Sequence, residues 1–183
     1  MAGPPDEVVD RLVRLSREAP PRCGRTVVIG IDGPSGSGKT TLASAVQARV
    51  GGAVVHMDDL FPGWDGLAQA VGLLTDQVLR PLATGVDGAY RRWDWLASAW
   101  AETIAVPSAP VLIVEGCAST VVPAAHFVAV RVWVEADPQV RMSRGLERDG
   151  EAFRPHWQRW AEQERALFEA DGTRQRADLI VRT

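Results

Sequence analysis

Residues 33–40 read Gly33-Pro34-Ser35-Gly36-Ser37-Gly38-Lys39-Thr40, which is G-x-x-x-x-G-K-[ST], the Walker A pattern. The chemistry of this spacing is phosphate binding. Glycines let consecutive backbone N–H groups turn inward without a Cβ clash. Those groups, with a helix N-terminus behind them, attract phosphate oxygens. Lys39 adds a compact charge for β- and γ-phosphates, and Thr40 offers a hydroxyl to Mg²⁺. Gly33, Ser35, Gly36, Ser37, Gly38, Lys39, Thr40 and Thr41 are therefore the candidate nucleotide-holding residues. Of the 20 basic residues, Lys39 is the one lysine and the rest are Arg. Against that bias, a retained lysine marks a place where the planar Arg fork would not serve.

Acids follow at informative places. Ala53-Val54-Val55-His56-Met57-Asp58-Asp59 reads as a strand ending in two carboxylates, broken soon after by Pro62-Gly63. An Asp at a strand's carboxyl end can accept a hydroxyl proton and help to hold Mg²⁺. Two acids before a loop can equally cap a turn. Val111-Leu112-Ile113-Val114-Glu115 is a second apolar run ending in an acid, which places Glu115 near a metal. A third run, residues 128–135, leads into Asp137-Pro138, a helix start. The helix carries Arg141, Arg144 and Arg148 on one face, where their forks suit phosphoryl oxygens or a solvated surface. Trp64, Trp93, Trp95 and Trp100 gather near Asp58 in sequence, as an aromatic wall for an acceptor or as core. His56 reads as structural, and His126 and His156 show no partner pattern.

The elements that must position these groups are legible as alternating runs. Val27-Val28-Ile29-Gly30-Ile31 is a buried-strand run before the loop, and a helix with Leu42, Ala45, Val46 and Arg49 at helical spacing follows it. Residues 6–18 predict an amphipathic helix with Val8, Leu12 and Leu15 on one side, packed at the sheet edge and closed by Pro20-Pro21. Residues 66–82 and 152–170 predict further helices, the latter with Trp157, Trp160 and Phe168 on a face near Ala161 and Glu164. Strands are expected near 26–31, 53–57, 111–114, 128–134 and 178–182.

The chain has 183 residues, a length suited to one domain with a substantial core. A net charge of −3 gives no dominant basic field, so nucleic acid is not an expected partner. The longest apolar run is too short for a membrane span, and the acidic opening lacks a signal-peptide core. Cys23 and Cys117 are far apart and read as reduced thiols of a cytoplasmic protein. GTPase and transporter-ATPase signatures are lacking, and the length argues against a motor or AAA+ module. A small-molecule kinase remains.

From Gly30 to Thr41, and in several later stretches, the chain resembles the uridine kinase/phosphoribulokinase family of P-loop kinases, over roughly residues 26–182. Asp58-Asp59-Leu60-Phe61 is similar to the family's Asp-Ser-Phe-Tyr, which implies that Asp58 is the base. Trp93-Asp94-Trp95 resembles its Tyr-Asp-Phe, which implies that Asp94 binds a ribose-like hydroxyl. Glu115-Gly116 matches its Glu-Gly. Arg141, Arg144, Arg148 and Asp149 resemble its Arg-rich lid, with Gly145 where a paired arginine stands. Ala177-Asp178-Leu179-Ile180-Val181 resembles its last strand, with Arg174 and Arg176 where adenine packs. Ser98-Ala99-Trp100 lacks the His and Arg that read the nucleoside.

The resemblance implies an α/β P-loop NTPase fold of the nucleoside and nucleotide kinase type, three layers around a five-stranded parallel sheet of order 2-3-1-4-5. Residues 1–183 are expected to form a single kinase domain, with residues 1–20 as an N-terminal helix, 58–106 as the acceptor-binding segment and 137–150 as the lid. ATP and Mg²⁺ are the expected cofactors, with Thr40, Asp58 and Glu115 at the metal. Asp58, Asp59, Trp64, Trp93, Asp94 and Trp95 are expected at the acceptor, a small molecule bearing a hydroxyl and nucleoside-like. Catalysis is expected from Asp58, Lys39, Arg141, Arg144 and Arg148. An aspartate is a weak base, which suffices where the transition state is loose and proton transfer late. A kinase for a sugar, vitamin precursor or antibiotic, or a regulatory protein that binds ATP without transfer, stays open, as does a homo-oligomer.

Overall fold

The computed structural model describes residues 4–150 and 154–183. Its centre is a five-stranded sheet of β1 (Val27–Asp32), β2 (Ala53–His56), β5 (Val111–Glu115), β6 (Val130–Glu135) and β7 (Leu179–Arg182). All neighbours pair in parallel, in the order β2-β5-β1-β6-β7. Counted along this sheet alone, the order is 2-3-1-4-5, as the resemblance implied. The intervening numbers belong to an antiparallel hairpin, β3 (Gly88–Asp94) and β4 (Ala99–Val106), which the sequence reading did not resolve.

Side chains of the parallel strands alternate between two apolar layers, so both faces must be covered. Ile29, Ile31, Ile113, Val132 and Val181 join the core beneath α1 (Asp6–Glu18) and α2 (Lys39–Val50). Val28, Val55, Leu112 and Val114 join the opposite core. That side is covered by α3 (Leu67–Leu74), a π-helical turn (Thr75–Leu79), α4 (Arg80–Ala83) and α6 (Arg154–Asp171). Residues 152–153, at the expected start of α6, lie outside the described residues.

α1 carries the expected apolar side: Leu12 is buried with Val9, Val13 and Ser16, and Val8 and Leu15, partly covered, pack on the same core. It packs against α2 and shares a core with β1, β6 and the edge strand β7, tied to α2 by Arg49 to Asp6 and Asp10. α5 (Pro138–Asp149) also begins as expected. Pro138 occupies its first turn, and the Asp137 carboxylate accepts a hydrogen bond from Gln139 N at 2.8 Å. Among the described residues, no helix is long and apolar enough to cross a membrane.

Candidate functional site

β1 ends at Asp32, and the chain then turns through residues 33–38 into α2. The turn requires glycine at two places. Gly33 has φ +139°, and a Cβ there would meet the Val134 carbonyl oxygen at 2.0 Å; Gly36 has φ +75°, and its Cβ would meet the Arg141 carbonyl oxygen at 2.3 Å. Asp32 anchors the turn from below. It is fully buried, and its two oxygens accept from Gly33 N, Ala118 N, Thr120 N and Thr120 Oγ1 at 2.7–2.8 Å. One carboxylate thus joins the start of the loop to the segment after β5.

Lys39, at the N-terminus of α2, folds back over the loop and donates to the Pro34 carbonyl at 3.0 Å. Burial alone would lower its affinity for the proton, but acids around it, among them Glu164, Glu115 and Asp58, hold its pKa above the ordinary value. The ammonium is therefore charged and available to an anion. Thr40 Oγ1 donates to Glu115 Oε1 at 3.2 Å, and His56 Nδ1 lies 2.6 Å from the same oxygen. The Glu115 contact raises the His56 pKa above its usual value. Parallel pairing of β2 with β5 sets His56 beside Glu115. The sequence reading treated His56 as merely structural; its contact with Glu115 was hidden because register is a tertiary property.

A cavity of about 310 Å³ joins these groups. Ser35, Gly36, Gly38, Lys39, Thr40 and Thr41 line it with Asp58, Glu115, Gly116, Cys117, Arg144, Gly145 and Arg148. Asp58 and Asp59 follow β2 in a short 3₁₀ turn, and the two acids diverge. Asp58 reaches the cavity, while Asp59 Oδ2 accepts from Tyr90 OH at 3.0 Å. Arg141 Nη1 donates to the Ser35 carbonyl at 3.2 Å, and Arg144 Nη1 to Thr183 Oγ1 at 2.8 Å. Arg141 thus reaches the loop at Ser35 and Arg144 at the Gly36 carbonyl, 3.5 Å away, while Arg148 lines the cavity beside Arg144.

Other candidates sit elsewhere. Arg174 is paired to Glu135 at 2.7 Å, and Arg176 to Asp171 and to the carbonyls of Asp171 and Thr120. Neither lines the cavity. Asp94 Oδ1 accepts from Leu96 N and Ala97 N at 3.0 and 2.9 Å, so it shapes the hairpin turn. Trp93 packs edge-on against Trp100 across the hairpin, with centroids 5.2 Å apart. Trp95 donates its indole N–H to the Asp58 carbonyl at 2.9 Å. Trp64 lies 4.8 Å from Trp95 and stacks on His156 at 4.4 Å and 7°. His156, which shows no partner pattern in the sequence, is carried by α6 onto the Trp64 ring.

Glu164 is the site residue that sequence reasoning passed over. It is buried on α6, where it accepts from Ser35 N and Trp160 Nε1 at 2.7 Å and from Cys117 Sγ at 3.0 Å. The available signal was an acid at i+4 spacing between Trp160 and Phe168 on an apolar face. Burial and the Glu164 charge raise the Cys117 thiol far above its usual range, so it stays protonated beside Lys39.

The fold and the loop define a P-loop protein with the strand order of the uridine kinase/phosphoribulokinase type. The chain belongs to the AAA domain family, whose model matches residues 29–165. The length argument against an AAA module is thereby corrected; length separates architectures poorly when insertions vary. The chain is similar over its whole fold to the structure of a possible uridine kinase from Bacillus stearothermophilus. That likeness has 23% identity and a TM-score of 0.69, and it covers 96% of this chain and 98% of that one. A provisionally assigned fructose transport system kinase from Silicibacter sp. gives 20% identity and a TM-score of 0.60, over 94% and 98% of the two chains. Both likenesses bear on fold alone. The chain also shares 42% identity over 43 residues with the uncharacterized kinase mug58 of Schizosaccharomyces pombe, which is 24% of this chain and 16% of that relative's length.

The residues present fit a Mg²⁺–nucleotide. Thr40, Glu115 and Asp58 bring hard oxygen donors to the cavity that holds the loop and Lys39. No cluster of three or more His, Cys, Asp or Glu forms a metal cage among the described residues. Mg²⁺ held largely by phosphates and one or two carboxylates needs none.

Proposed function

We propose that the protein is an ATP-dependent kinase that transfers the γ-phosphate to a hydroxyl of a small metabolite, of which a nucleoside is the first candidate. One observation carries the reading: a single cavity joins Lys39 and Thr40 to Glu115, Asp58, Arg144 and Arg148. Nucleotide-holding groups, metal ligands, a base and phosphate-directed cations are all needed for transfer, and each is represented. The amides of the loop and Lys39 hold phosphate oxygens. Thr40, Glu115 and Asp58 would hold Mg²⁺, which when bound would offset phosphate charge. Asp58 orients the acceptor hydroxyl and takes its proton late. Arg144 and Arg148 offset charge on the transferring group, and α5 over the loop excludes water.

A different acceptor is favoured by one set of contacts. Asp94, the candidate for a ribose-like hydroxyl, is committed to the hairpin turn. Trp64 is flanked by Trp95 and His156 rather than presenting a broad face to a base. One structural relative is named a possible uridine kinase and another a provisionally assigned fructose transport system kinase, so their names do not agree on one acceptor. A switch that binds ATP without transfer is separated by mutation. With Asp58→Asn, nucleotide binding is expected to persist while kcat for transfer falls about 10²–10⁴-fold. Equal turnover by the variant would remove Asp58 from the mechanism.

A further inference from the structure

Glu164 is 2% exposed, an acid set among buried side chains. Buried carboxylates persist only where donors and cations compensate for lost water. Its Oε1 takes three donors, from the loop, from the segment after β5 and from α6 itself. Its Oε2 faces Arg141 Nη1 at 3.9 Å. Arg141 in turn donates to the Ser35 carbonyl at 3.2 Å. The Ser35 peptide groups are thus gripped on both sides, at N–H by Glu164 and at C=O by the arginine that Glu164 faces. A glutamine oxygen would satisfy the same three donors, so hydrogen bonding alone does not call for an acid. The cations do: Arg141 at 3.9 Å, and Lys39, whose positive charge Glu164 helps to sustain.

We propose that Glu164 is a positioning residue whose negative charge holds Arg141 on the Ser35 carbonyl, coupling α5 to the phosphate loop so that its arginines meet the transferring group in register. The catalytic half of this inference rests on the kinase reading; the coupling half does not. Arg141 is set by α5, Ser35 by the loop and Glu164 by α6. The link is therefore the point where three elements distant in sequence agree on one geometry. Trp157, whose ring centroid lies 5.9 Å from the Arg141 guanidinium, adds a cation–π contact on the same arginine.

The test is a double-mutant cycle of Glu164→Gln and Arg141→Ala, read in two ways. In the nucleotide-free protein, Glu164→Gln keeps the hydrogen bonds and loses the charge. Amide hydrogen exchange across residues 141–148 should then speed up about tenfold. Arg141→Ala should do the same, and the double variant should be no faster than the faster single. In turnover, Glu164→Gln should lower kcat by about 10- to 100-fold and leave KM for ATP within about threefold, the mark of an interaction made in the transition state. Unchanged exchange in Glu164→Gln, or additive effects, overturns the coupling. Faster exchange with unchanged kcat overturns the catalytic half. A parent protein that binds Mg·ATP but phosphorylates nothing defeats the kinase reading, and the exchange cycle still decides the coupling. Should Glu164→Gln not fold, Arg141→Ala tests the link from the lid side. It must then deprotect the Ser35 amide, and an unmoved Ser35 amide overturns the proposal.

Discussion

At Asp32, four donors converge on one carboxylate that water does not reach. Burial pushes its pKa up to about 6, against the opposing pull of those donors and of Lys39. The folded value exceeds the unfolded one of 3.8, so the folded state binds more protons between pH about 4 and about 6. This group's contribution to stability is therefore full below pH about 4 and is lost as pH rises through about 6. Asp32→Asn sets an amide N–H against converging donors, and is expected to cost about 2–4 kcal/mol in urea unfolding. Glu135 has the opposite sign. Arg174, Arg182 and Trp133 hold its pKa down to about 2 against partial burial, so its contribution is present above pH about 4.5 and lost as pH falls through about 2. The melting difference between the parent protein and Glu135→Gln should shrink over that window. Lys39, Thr40 and Glu115 were legible because motif and strand-end position announce them. Glu164 was not, because its bond to Ser35 joins residues 129 apart in the chain.

Elements bring these residues together through close backbone approaches. The Arg141 carbonyl of α5 sits where a side chain at Gly36 would begin. Gly36→Ala would strain a positive φ and push α5 off the loop. Affinity for Mg·ATP should fall at least about tenfold by calorimetry, with the melting temperature lowered in parallel. The β3–β4 hairpin reaches the site through Trp95, whose indole N–H holds the Asp58 carbonyl. Trp95→Ala should raise KM for the acceptor by roughly tenfold while ATP affinity stays unchanged, as binding assays on the two ligands would show. The start of α5 was legible from Asp137-Pro138, a local capping signal. The hairpin was not. Its strands lie off the main sheet, mix Arg91, Arg92 and Glu102 with Tyr90, Trp93, Trp100 and several alanines, and are broken by a register shift between Arg91 and Trp93. That leaves neither a clean alternation nor a continuous apolar run to read.

The whole molecule is a parallel sheet whose carboxyl edge carries the loop, Asp58 and Glu115, with α5 and α6 closing over them. The central strands were legible because strands buried on both faces must be close to continuously apolar, as residues 27–31 and 111–114 are. Their order came from the resemblance rather than from the runs, since apolar strands do not state their neighbours. Acceptor identity was not legible, for Asp94 and Trp64 spend their polar atoms or faces on the protein itself. The central claim is transfer of phosphate to an acceptor hydroxyl. It is tested most directly by incubating the protein with Mg²⁺ and γ-labelled ATP against nucleosides, sugars and vitamin precursors, and isolating labelled product. A labelled phosphate monoester is expected from one acceptor class, lost with Lys39→Ala and with Asp58→Asn. Tight ATP binding with no labelled product from any acceptor, or product formation undiminished in both variants, would contradict it.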